Sequence, residues 1–345
     1  MQHEITRTGP LLDGKGRLRE PGWARRPLLT YDRGGVKTSA LRLKEWDYYY
    51  IGCGDRFGLA LTIADNGYMG LDSVSFLDFE EGWEITKSPM QILPRGRKSL
   101  SPSSGDGSVR SAGKDYYLAF RRSGSHRILT FKMEDFRDGA PIEGAVTLSD
   151  PGTDSIVIAT PFDGDRKAFY YNQKINCLPA EGTIHVGRDT YAFSPENSFG
   201  VLDWGRGVWT YKNTWYWGSA SGTVAGVPFG FNIGYGFGNT EKASENALFL
   251  DGRLHKLSRV QFIIPKKADG TDDFLSPWRF ISDDRRFEMS FTPVLDRASR
   301  TDFKILCSDQ HQVFGRYSGR CVLDDGAVLQ FRDLFGFAEK VFNKW

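Results

Sequence analysis

Large apolar residues alternate with small ones in two distant stretches, and this pattern sets the strongest limit on the fold. Residues 57–64 read FGLALTIA and residues 229–238 read FGFNIGYGFG. Because the side chains of a β-strand point alternately to its two faces, each stretch predicts a strand with one apolar and one nearly bare face. Glycine inside a strand costs stability, so we expect a ligand, a neighbouring strand or a large side chain to approach that backbone closely. In residues 229–238 the bare face is expected to line a ligand cavity or to be filled by tryptophans of the preceding segment.

Short apolar runs separated by turns continue through the rest of the chain. Asp251-Gly252 and Asp325-Gly326 each lie between alternating apolar runs, which is the strongest short-range signal for a β-hairpin. The only candidates for short helices are residues 242–250 (KASENALFL) and 337–345 (FAEKVFNKW). The pattern predicts an antiparallel all-β fold with few short helices, and 345 residues are enough for two β-barrels in tandem.

A turn around Pro151 gives the predicted domain boundary. We assign residues 1–155 to an N-terminal barrel-like domain with an N-terminal arm, and residues 156–345 to a C-terminal domain that carries the main pocket. Residues 94–115 are rich in Pro, Gly and Ser and predict a long loop, a feature that is more often functional or disordered than ordinary.

Composition and charge exclude several classes of partner. Lys and Arg total 45 against 43 Asp and Glu, and the net charge of +2 predicts binding neither to nucleic acid nor to an anionic membrane. The chain has no apolar run of about 18 residues and no signal-peptide pattern at its start, so we expect no membrane insertion and a cytoplasmic location. The five histidines and four cysteines lack metal-binding spacing, which predicts no metal site, with a site assembled from distant strands as the alternative, and favours reduced thiols. A disulfide between Cys307 and Cys321 across paired strands is the alternative.

Residues 203–238 combine many aromatic residues and glycines with few charges, and a binding site is expected here. If aromatic residues enclose Asp203, its pKa rises and it becomes a candidate proton donor; if Arg206 pairs with it in a tight turn, its pKa falls. Glu245 is the second candidate acid, with a helix-cap or surface role as the alternative. His255 is a candidate general base or an exposed hairpin residue.

Aromatic and amide side chains supply the predicted substrate contacts. Tyr49 belongs to a run of three tyrosines beside Asp47, and its alternative role is that of a wall residue. The full set of predicted substrate-binding residues is Trp204, Trp209, Tyr211, Trp215, Trp217, Asn232, Tyr235 and Tyr49.

Several longer segments carry a family resemblance. They are LDWGRGVW, WYWGSASG, GFNIGYGFG, ENALFLDGRLHKL, HQVFG and the N-terminal ITRTGPLLDGKG with GWA. Across almost its whole length the chain resembles the bacterial family known as domain of unknown function 2804. That family resembles, at the level of fold, the tandem lipocalin-like superfamily, which includes carotenoid 1,2-hydratases and certain Diels-Alder cyclases. The resemblance implies two lipocalin-like barrels and chemistry on a hydrophobic substrate without a bound cofactor, and it transfers no catalytic residue to this chain.

Two functions fit these observations best. One is a cofactor-independent hydratase, isomerase or cyclase that acts on a hydrophobic molecule of isoprenoid or lipid-like character. In it, Asp203 is the acid and tryptophan faces stabilise positive charge. The other is a non-catalytic binder or carrier of such a molecule, in which the same aromatic residues bury the ligand. A polysaccharide-binding module fits less well with a cytoplasmic chain.

Overall fold

The computed structural model describes residues 2–302 and 306–344. In these ranges the chain forms 25 β-strands and one short 3-10 helix, Arg33–Gly35. The strands up to residue 112 are β1 (Gly9–Pro10), β2 (Gly22–Ala24), β3 (Leu29–Thr30), β4 (Leu43–Cys53), β5 (Phe57–Asp65), β6 (Met69–Asp78), β7 (Trp83–Lys87), β8 (Met90–Ile92) and β9 (Ser108–Ala112).

The strands from residue 116 to residue 208 are β10 (Tyr116–Ser123), β11 (His126–Arg137), β12 (Ala140–Ser149), β13 (Ile156–Phe162), β14 (Asp165–Val186), β15 (Asp189–Phe193) and β16 (Ser198–Val208). The remaining strands are β17 (Lys212–Val224), β18 (Val227–Tyr235), β19 (Ala247–Leu250), β20 (Arg253–Lys256), β21 (Val260–Ile263), β22 (Trp278–Ser282), β23 (Phe287–Asp302), β24 (Cys307–Val322) and β25 (Val328–Lys344).

Two large antiparallel sheets make up most of the fold. The first has 14 strands, with the central order β7-β6-β5-β4-β16-β14-β12-β11-β10-β9, and β2, β8, β13 and β15 pair along its sides. It curls, because β7 approaches β11 and β9 approaches β5. The second has nine strands in the order β20-β19-β18-β17-β25-β24-β23-β22-β21. The prediction of an all-β antiparallel fold is therefore confirmed.

The two sheets pack against each other through the middle strands of the first sheet. Strand β14 contacts β17 and β18 of the second sheet. One hydrophobic core cluster contains residues of both sheets, among them Leu202, Trp217 and Phe337. As a result β16 is buried along its whole length, since both of its faces are covered.

The change from the first sheet to the second falls between Val208 and Lys212. Residues 156–208 continue the larger sheet, whereas the predicted domain boundary lies near residue 155. Because a division between sheets is not by itself a division between domains, that boundary stays a prediction.

Both predicted hairpins are confirmed. Leu250 pairs with Arg253 across Asp251 and Gly252, which have φ angles of 48° and 74° and so suit a two-residue turn. The segment around Asp325-Gly326 joins β24 to β25, and the amide of Leu323 donates to the carbonyl of Ala327.

Both helix predictions are wrong. The segment 242–250 ends in β19, and the described part of 337–345 belongs to β25, which pairs with β17 on one side and β24 on the other. Cross-strand pairing and burial outweigh the helix propensity of Ala, Glu and Lys in these segments.

Cys307 and Cys321 lie on the same strand, β24, and both are free thiols, so the disulfide alternative is also wrong. Within the described ranges, no helix has the length and apolar character to cross a membrane.

The alternating pattern of residues 229–238 is confirmed as far as Tyr235, where β18 ends. Phe229, Phe231 and Ile233 are fully buried in the core of the second sheet. Phe237 lies beyond the strand and packs into the core shared with the first sheet, so its predicted place on the same face is wrong.

Side chains do approach the bare face of β18 closely, and one of them is a tryptophan of the preceding segment: Trp217 pairs with Gly234, and its indole donates to Oδ1 of Asn232 at 2.7 Å. A Cβ atom on Gly230 would lie 2.6 Å from Sγ of Cys177, and one on Gly234 would lie 2.4 Å from Oε1 of Glu245. The glycines of β18 therefore make room for side chains that come from outside the strand.

Candidate functional site

Strand β16 forms the middle of a wall whose two faces carry different groups. Asp203 pairs with Lys174 of β14 and with Tyr48 of β4. Residues paired across antiparallel strands point to the same face, so all three face the second sheet. Arg206 is three positions further along the strand and therefore points to the opposite face, into the concave side of the first sheet.

The face toward the second sheet holds a buried charged group that we call the Lys174 cluster: Lys174, Asp203, Glu245, Glu339 and Trp217. Nζ of Lys174 lies 2.9 Å from Oδ1 of Asp203 and 3.7 Å from Oε2 of Glu245. It also lies 4.3 Å from the ring centroid of Trp217. Lys174 and Glu245 are each 1% exposed. Burial of charges is costly unless they are paired, and the lysine is paired with carboxylates from two different elements.

Two asparagines fix the carboxylates around the lysine. Nδ2 of Asn172 donates to Oδ1 of Asp203 at 2.6 Å. Asn232 accepts a hydrogen bond from the Trp217 indole at 2.7 Å and donates to the backbone carbonyl of Glu245 at 3.0 Å. The predicted ligand residue Asn232 thus positions both Trp217 and Glu245.

Glu245 is a carboxyl group that titrates near neutral pH. Burial raises its pKa from 4.5 to about 7, the Lys174 ammonium opposes this rise, and the charge of Asp203 adds to it. Neither carboxylate oxygen has a hydrogen-bond partner among residues 2–302 and 306–344. A buried carboxyl that exchanges a proton near pH 7 and has unused hydrogen-bond capacity is suited to acid–base chemistry.

Glu339 is a second carboxyl group of this kind. Burial raises its pKa to about 7. Its two oxygens accept hydrogen bonds from the Trp215 indole at 2.9 Å and from Nε2 of Gln312 at 3.1 Å. In contrast to Glu245, Glu339 is therefore held in place by neutral donors.

Aromatic rings enclose the Lys174 cluster. Tyr170 stacks on Phe237 with ring centroids 5.3 Å apart, and Trp209 lies edge-on to Tyr170 at 5.2 Å. Trp215 packs against Trp209 at 5.4 Å, and Tyr48 packs against Trp217 at 5.9 Å. These rings lower the local dielectric constant and so strengthen the electrostatic interactions inside them.

Several buried polar atoms of the same region have unused hydrogen-bond capacity in the described part of the chain. They are the Tyr170 hydroxyl, Oδ1 of Asn172, Oδ1 of Asn176 and Oε1 of Gln312, in addition to the two oxygens of Glu245. Buried polar groups are paired in most proteins, so this concentration indicates room for water molecules or a polar part of a ligand.

A pocket of about 550 Å³ opens between the two sheets next to the Lys174 cluster. Its walls include Tyr50, Val201, Ser219 and Phe337. Each of these wall residues is two positions along its strand from a residue at the cluster. The pairs are Tyr50 with Tyr48, Val201 with Asp203, Ser219 with Trp217, and Phe337 with Glu339. Two residues of a strand span roughly 7 Å, so the cluster lies one side-chain row beyond the inner wall of the pocket. Neither Asp203 nor Glu245 lines the pocket directly.

The structure brings together about half of the residues that the sequence predicted for the site. Those at or around the Lys174 cluster are Asp203, Glu245, Trp209, Trp215, Trp217 and Asn232.

Three predicted residues lie on the opposite face of the wall. Arg206 donates to Oδ1 of Asp47 at 2.9 Å and to the carbonyl of Ser101 at 2.7 Å. The alternative of an Asp203–Arg206 pair in a tight turn is therefore wrong, since both residues lie in β16, their side chains point to opposite faces and they have different partners. The ring of Trp204 packs against the Arg206 guanidinium, and the distance from Cζ to the ring centroid is 4.2 Å. The Tyr49 hydroxyl accepts a hydrogen bond from Arg127 at 3.3 Å.

Three other predicted residues lie away from the cluster, within or at the start of the second sheet. His255 accepts a hydrogen bond from the backbone amide of Asp324 at 3.2 Å on the β19–β20 hairpin. Tyr235 stacks on Tyr216 at 4.5 Å, and Tyr211 is 50% exposed.

Sequence reasoning missed Lys174, Tyr170 and Glu339. The signal for Lys174 was a lone lysine in the run AFYYNQKINC, because lysine is almost never fully buried unless it is paired. Glu339 was hidden by the helix predicted for its segment.

Within residues 2–302 and 306–344, no group of three or more His, Cys, Asp or Glu side chains is arranged to hold a metal ion.

The two antiparallel sheets, packed against each other with a pocket between them, form a tandem lipocalin-like fold. Solved structures with this fold include a candidate AttH (NE1406) from Nitrosomonas europaea, with a TM-score of 0.55 and 10% identity over 96% of this chain and 98% of that chain. Kievitone hydratase from Nectria haematococca has a TM-score of 0.55 and 11% identity over 97% and 98% of the two chains. CghA with Sch210972 has a TM-score of 0.50 and 12% identity over 98% and 97%.

The chain itself belongs to the family described as Domain of unknown function (DUF2804), whose sequence model matches residues 2–345. The resemblance seen in the sequence is thus confirmed. No curated protein matches the chain in a sequence comparison.

Proposed function

We propose that this protein is a cofactor-independent acid–base enzyme of the hydratase, isomerase or cyclase type that acts on a hydrophobic small molecule. The observation that carries the proposal is the environment of Glu245: a buried carboxyl whose pKa is about 7, beside a fixed ammonium and one side-chain row from a pocket. Such a group exists in both protonation states at neutral pH, as a general acid or base requires. The fold it shares with kievitone hydratase adds support by analogy.

Within this proposal the residues have distinct roles. Glu245 transfers the proton, because its oxygens are open to a further partner. Asp203 is a positioning residue, since it accepts from both Asn172 and Lys174. Arg206 and His255 have no role in the chemistry, because their contacts lie outside the Lys174 cluster.

The second candidate function is that of a binder or carrier of a hydrophobic molecule. One observation favours it: the pocket of about 550 Å³ has Phe199, Phe335 and Phe337 among its wall residues, and neither Asp203 nor Glu245 lines it. A ligand that fills only this pocket is bound without reaching the proton-transfer group.

The two functions are distinguished by incubating the protein with a small-molecule extract of its native host in heavy water, followed by mass spectrometry. The wild-type protein is expected to deplete specific compounds and to yield products that carry deuterium, one added water or a changed retention time. Glu245→Gln removes the titrating group at constant size and is expected to reduce this turnover by about 100-fold or more.

The matched control is Glu181→Gln, because Glu181 is an exposed carboxylate on β14. It is expected to retain full turnover. If the wild-type protein returns a bound compound unchanged and forms no product, the carrier function is correct and the enzyme proposal is wrong.

A further inference from the structure

The Lys174 ammonium occupies the place where a carbocation was expected. The tryptophan faces of residues 203–238 suggest stabilisation of positive charge, but the Trp217 face already has Nζ of Lys174 4.3 Å from its centroid. The same ammonium lies 5.7 Å from the ring centroid of Phe237. A fixed cation next to the reacting atoms disfavours a second positive charge and favours a developing negative one.

Lys174 has capacity for a further acceptor. An ammonium group carries three N–H bonds. Among the described residues, Lys174 makes one close oxygen contact, with Asp203 at 2.9 Å, and one long oxygen contact, with Glu245 at 3.7 Å, and its Nζ otherwise faces the Trp217 ring. The third N–H has no oxygen partner in the described ranges, and an oxygen atom of a bound molecule is a stronger acceptor for it than the Trp217 face.

The Tyr170 hydroxyl is a second donor for the same oxygen. It is fully buried and has no hydrogen-bond partner in the described ranges. Burial and the nearby carboxylates of Asp203, Glu245 and Glu339 raise its pKa well above the usual value, so it keeps its proton. Tyr170 and Nζ of Lys174 both pack on Phe237, at 5.3 Å and 5.7 Å from its ring centroid. A neutral phenol and an ammonium are the kind of donor pair that stabilises an oxyanion in a buried site.

We infer that the substrates of this site carry a carbonyl group next to the reacting carbon, and that Lys174 and Tyr170 stabilise the enolate oxygen while Glu245 moves the proton. This inference rests on the proposed function and names its substrate class: hydrophobic enolisable or α,β-unsaturated carbonyl compounds.

The simplest reaction of this kind is a double-bond shift. The Glu245 carboxylate takes a proton from the carbon next to the carbonyl or its conjugated extension, and the C–H electron pair becomes the enolate, with its charge on the oxygen held by Lys174 and Tyr170. The protonated Glu245 then returns the proton to another carbon of the same conjugated system, and the carbonyl re-forms. Atoms and electrons balance, and no oxidant or co-reactant is consumed.

The inference is tested with two fused-ring probes of similar size, one that becomes an anion on ionisation and one that is a permanent cation. The first is 2-naphthol, whose oxyanion mimics an enolate, and the second is N-methylquinolinium, which mimics a carbocation. Binding is followed by tryptophan fluorescence, and the ionisation of bound naphthol is followed by its absorption spectrum. The wild-type protein is expected to bind 2-naphthol as the naphtholate at a pH where it is neutral in water, and at least about tenfold more tightly than the quinolinium.

Variants at Lys174 and Tyr170 separate charge from shape. Lys174→Met is expected to weaken naphthol binding by about tenfold or more, to remove the naphtholate spectrum and to strengthen quinolinium binding, because the carboxylates remain without their cation. Lys174→Arg keeps the positive charge and controls for misfolding caused by the loss of the buried cation. It is expected to retain the preference for the anionic probe. Tyr170→Phe removes one hydroxyl and weakens naphthol binding by a smaller factor. Lys212→Met, at an exposed position on β17, is the control and leaves both affinities unchanged.

Two results would contradict the inferred substrate class. They are tighter binding of N-methylquinolinium than of 2-naphthol by the wild-type protein, and binding of 2-naphthol without ionisation. Neither result bears on the proposed acid–base function, which the Glu245→Gln experiment tests separately. Binding of neither probe overturns the inference, and Glu245→Gln again decides the proposed function separately.

Discussion

At the scale of single residues, the charges buried between the sheets depend on one another. Lys174 is 1% exposed and has carboxylates from β16 and from the segment before β19 as partners. Removal of one partner of a buried ion pair leaves an uncompensated charge, which costs several kcal/mol. The protonation state of Glu245 is therefore sensitive to any change in its charged neighbours, because burial already raises its pKa to about 7.

The stability of the protein is expected to fall as pH rises from about 4.5 to about 7 in part because of Glu245. Its pKa is 4.5 in the unfolded reference and about 7 in the fold, so in this window the native state keeps a proton that the unfolded state has released. At one pKa unit per 1.36 kcal/mol, the loss is on the order of 3 kcal/mol and is complete above pH 7 or so.

Glu245→Gln does not titrate and is expected to show a shallower decline in the free energy of unfolding across the same window. Urea denaturation at a series of pH values measures both slopes, with Glu181→Gln as the control. Glu339 is expected to keep part of the slope in the variant, because its pKa is raised by the same cause. Identical slopes for the wild type and Glu245→Gln would contradict the assignment.

Gly234→Ala tests the close approach of Glu245 to β18. The new Cβ would lie 2.4 Å from Oε1 of Glu245 and 2.7 Å from the carbonyl oxygen of Tyr216, so the carboxyl or the strand must move. We expect a loss of about 1–3 kcal/mol in the free energy of unfolding. Gly14→Ala is the control, because its Cβ meets nothing within 4 Å. Equal stability of the two variants in urea denaturation would show that the contact is unimportant.

The sequence predicted the identity of Asp203 and Glu245 as candidates but not their shared partner. Period-two alternation assigns residues to faces within one strand, and it does not say which strands become neighbours. Lys174 and Asp203 are 29 positions apart and meet only through the pairing of β14 with β16. The separation of Asp203 from Arg206 was available from the alternation, since an odd spacing on a strand places two side chains on opposite faces.

At the scale of strands and turns, the local sequence predicted structure correctly where backbone conformation determines it. The prediction failed where pairing with distant strands determines the structure. Asp-Gly turns fix their own φ angles, and both predicted hairpins formed. Residues 337–344 have helix-forming Ala, Glu and Lys, yet β25 has a hydrogen-bonded neighbour on each side, and the ladder outweighs propensity.

The two Asp-Gly hairpins provide a matched pair of glycine substitutions. Gly252 and Gly326 have φ angles of 74° and 86°, so alanine at either position is strained. A Cβ at Gly252 would also lie 2.6 Å from Cγ2 of Thr153, whereas one at Gly326 meets nothing within 4 Å. We expect Gly326→Ala to cost about 1 kcal/mol and Gly252→Ala to cost about 1–2 kcal/mol more. Thermal denaturation of the two variants measures the difference, and a larger cost at Gly326 would contradict this account.

At the scale of the whole molecule, the two sheets share a core, so the site cannot form in either sheet alone. Asn176 of β14 joins them: its Nδ2 donates to Oγ of Ser219 at 2.8 Å and to the carbonyl of Phe231 at 3.1 Å. The two-barrel class was predictable from the number and spacing of the strands. The faces of the two sheets that pack together are set by contacts between residues far apart in the chain. A local sequence pattern carries no information on such contacts.

Because the core is continuous, the protein is expected to unfold in one transition, with coincident curves from tryptophan fluorescence and far-UV circular dichroism. Asn176→Ala removes the donor from two buried acceptors and is expected to lower the free energy of unfolding by about 1–3 kcal/mol while the single transition is kept. Gln261→Ala, at an exposed position of β21, is the control and leaves the midpoint unchanged. Two separate transitions in the wild type would mean that the sheets are stable independently. In that case the Lys174 cluster, which takes its members from both sheets, would be lost in the first of the two transitions, while the other sheet is still folded.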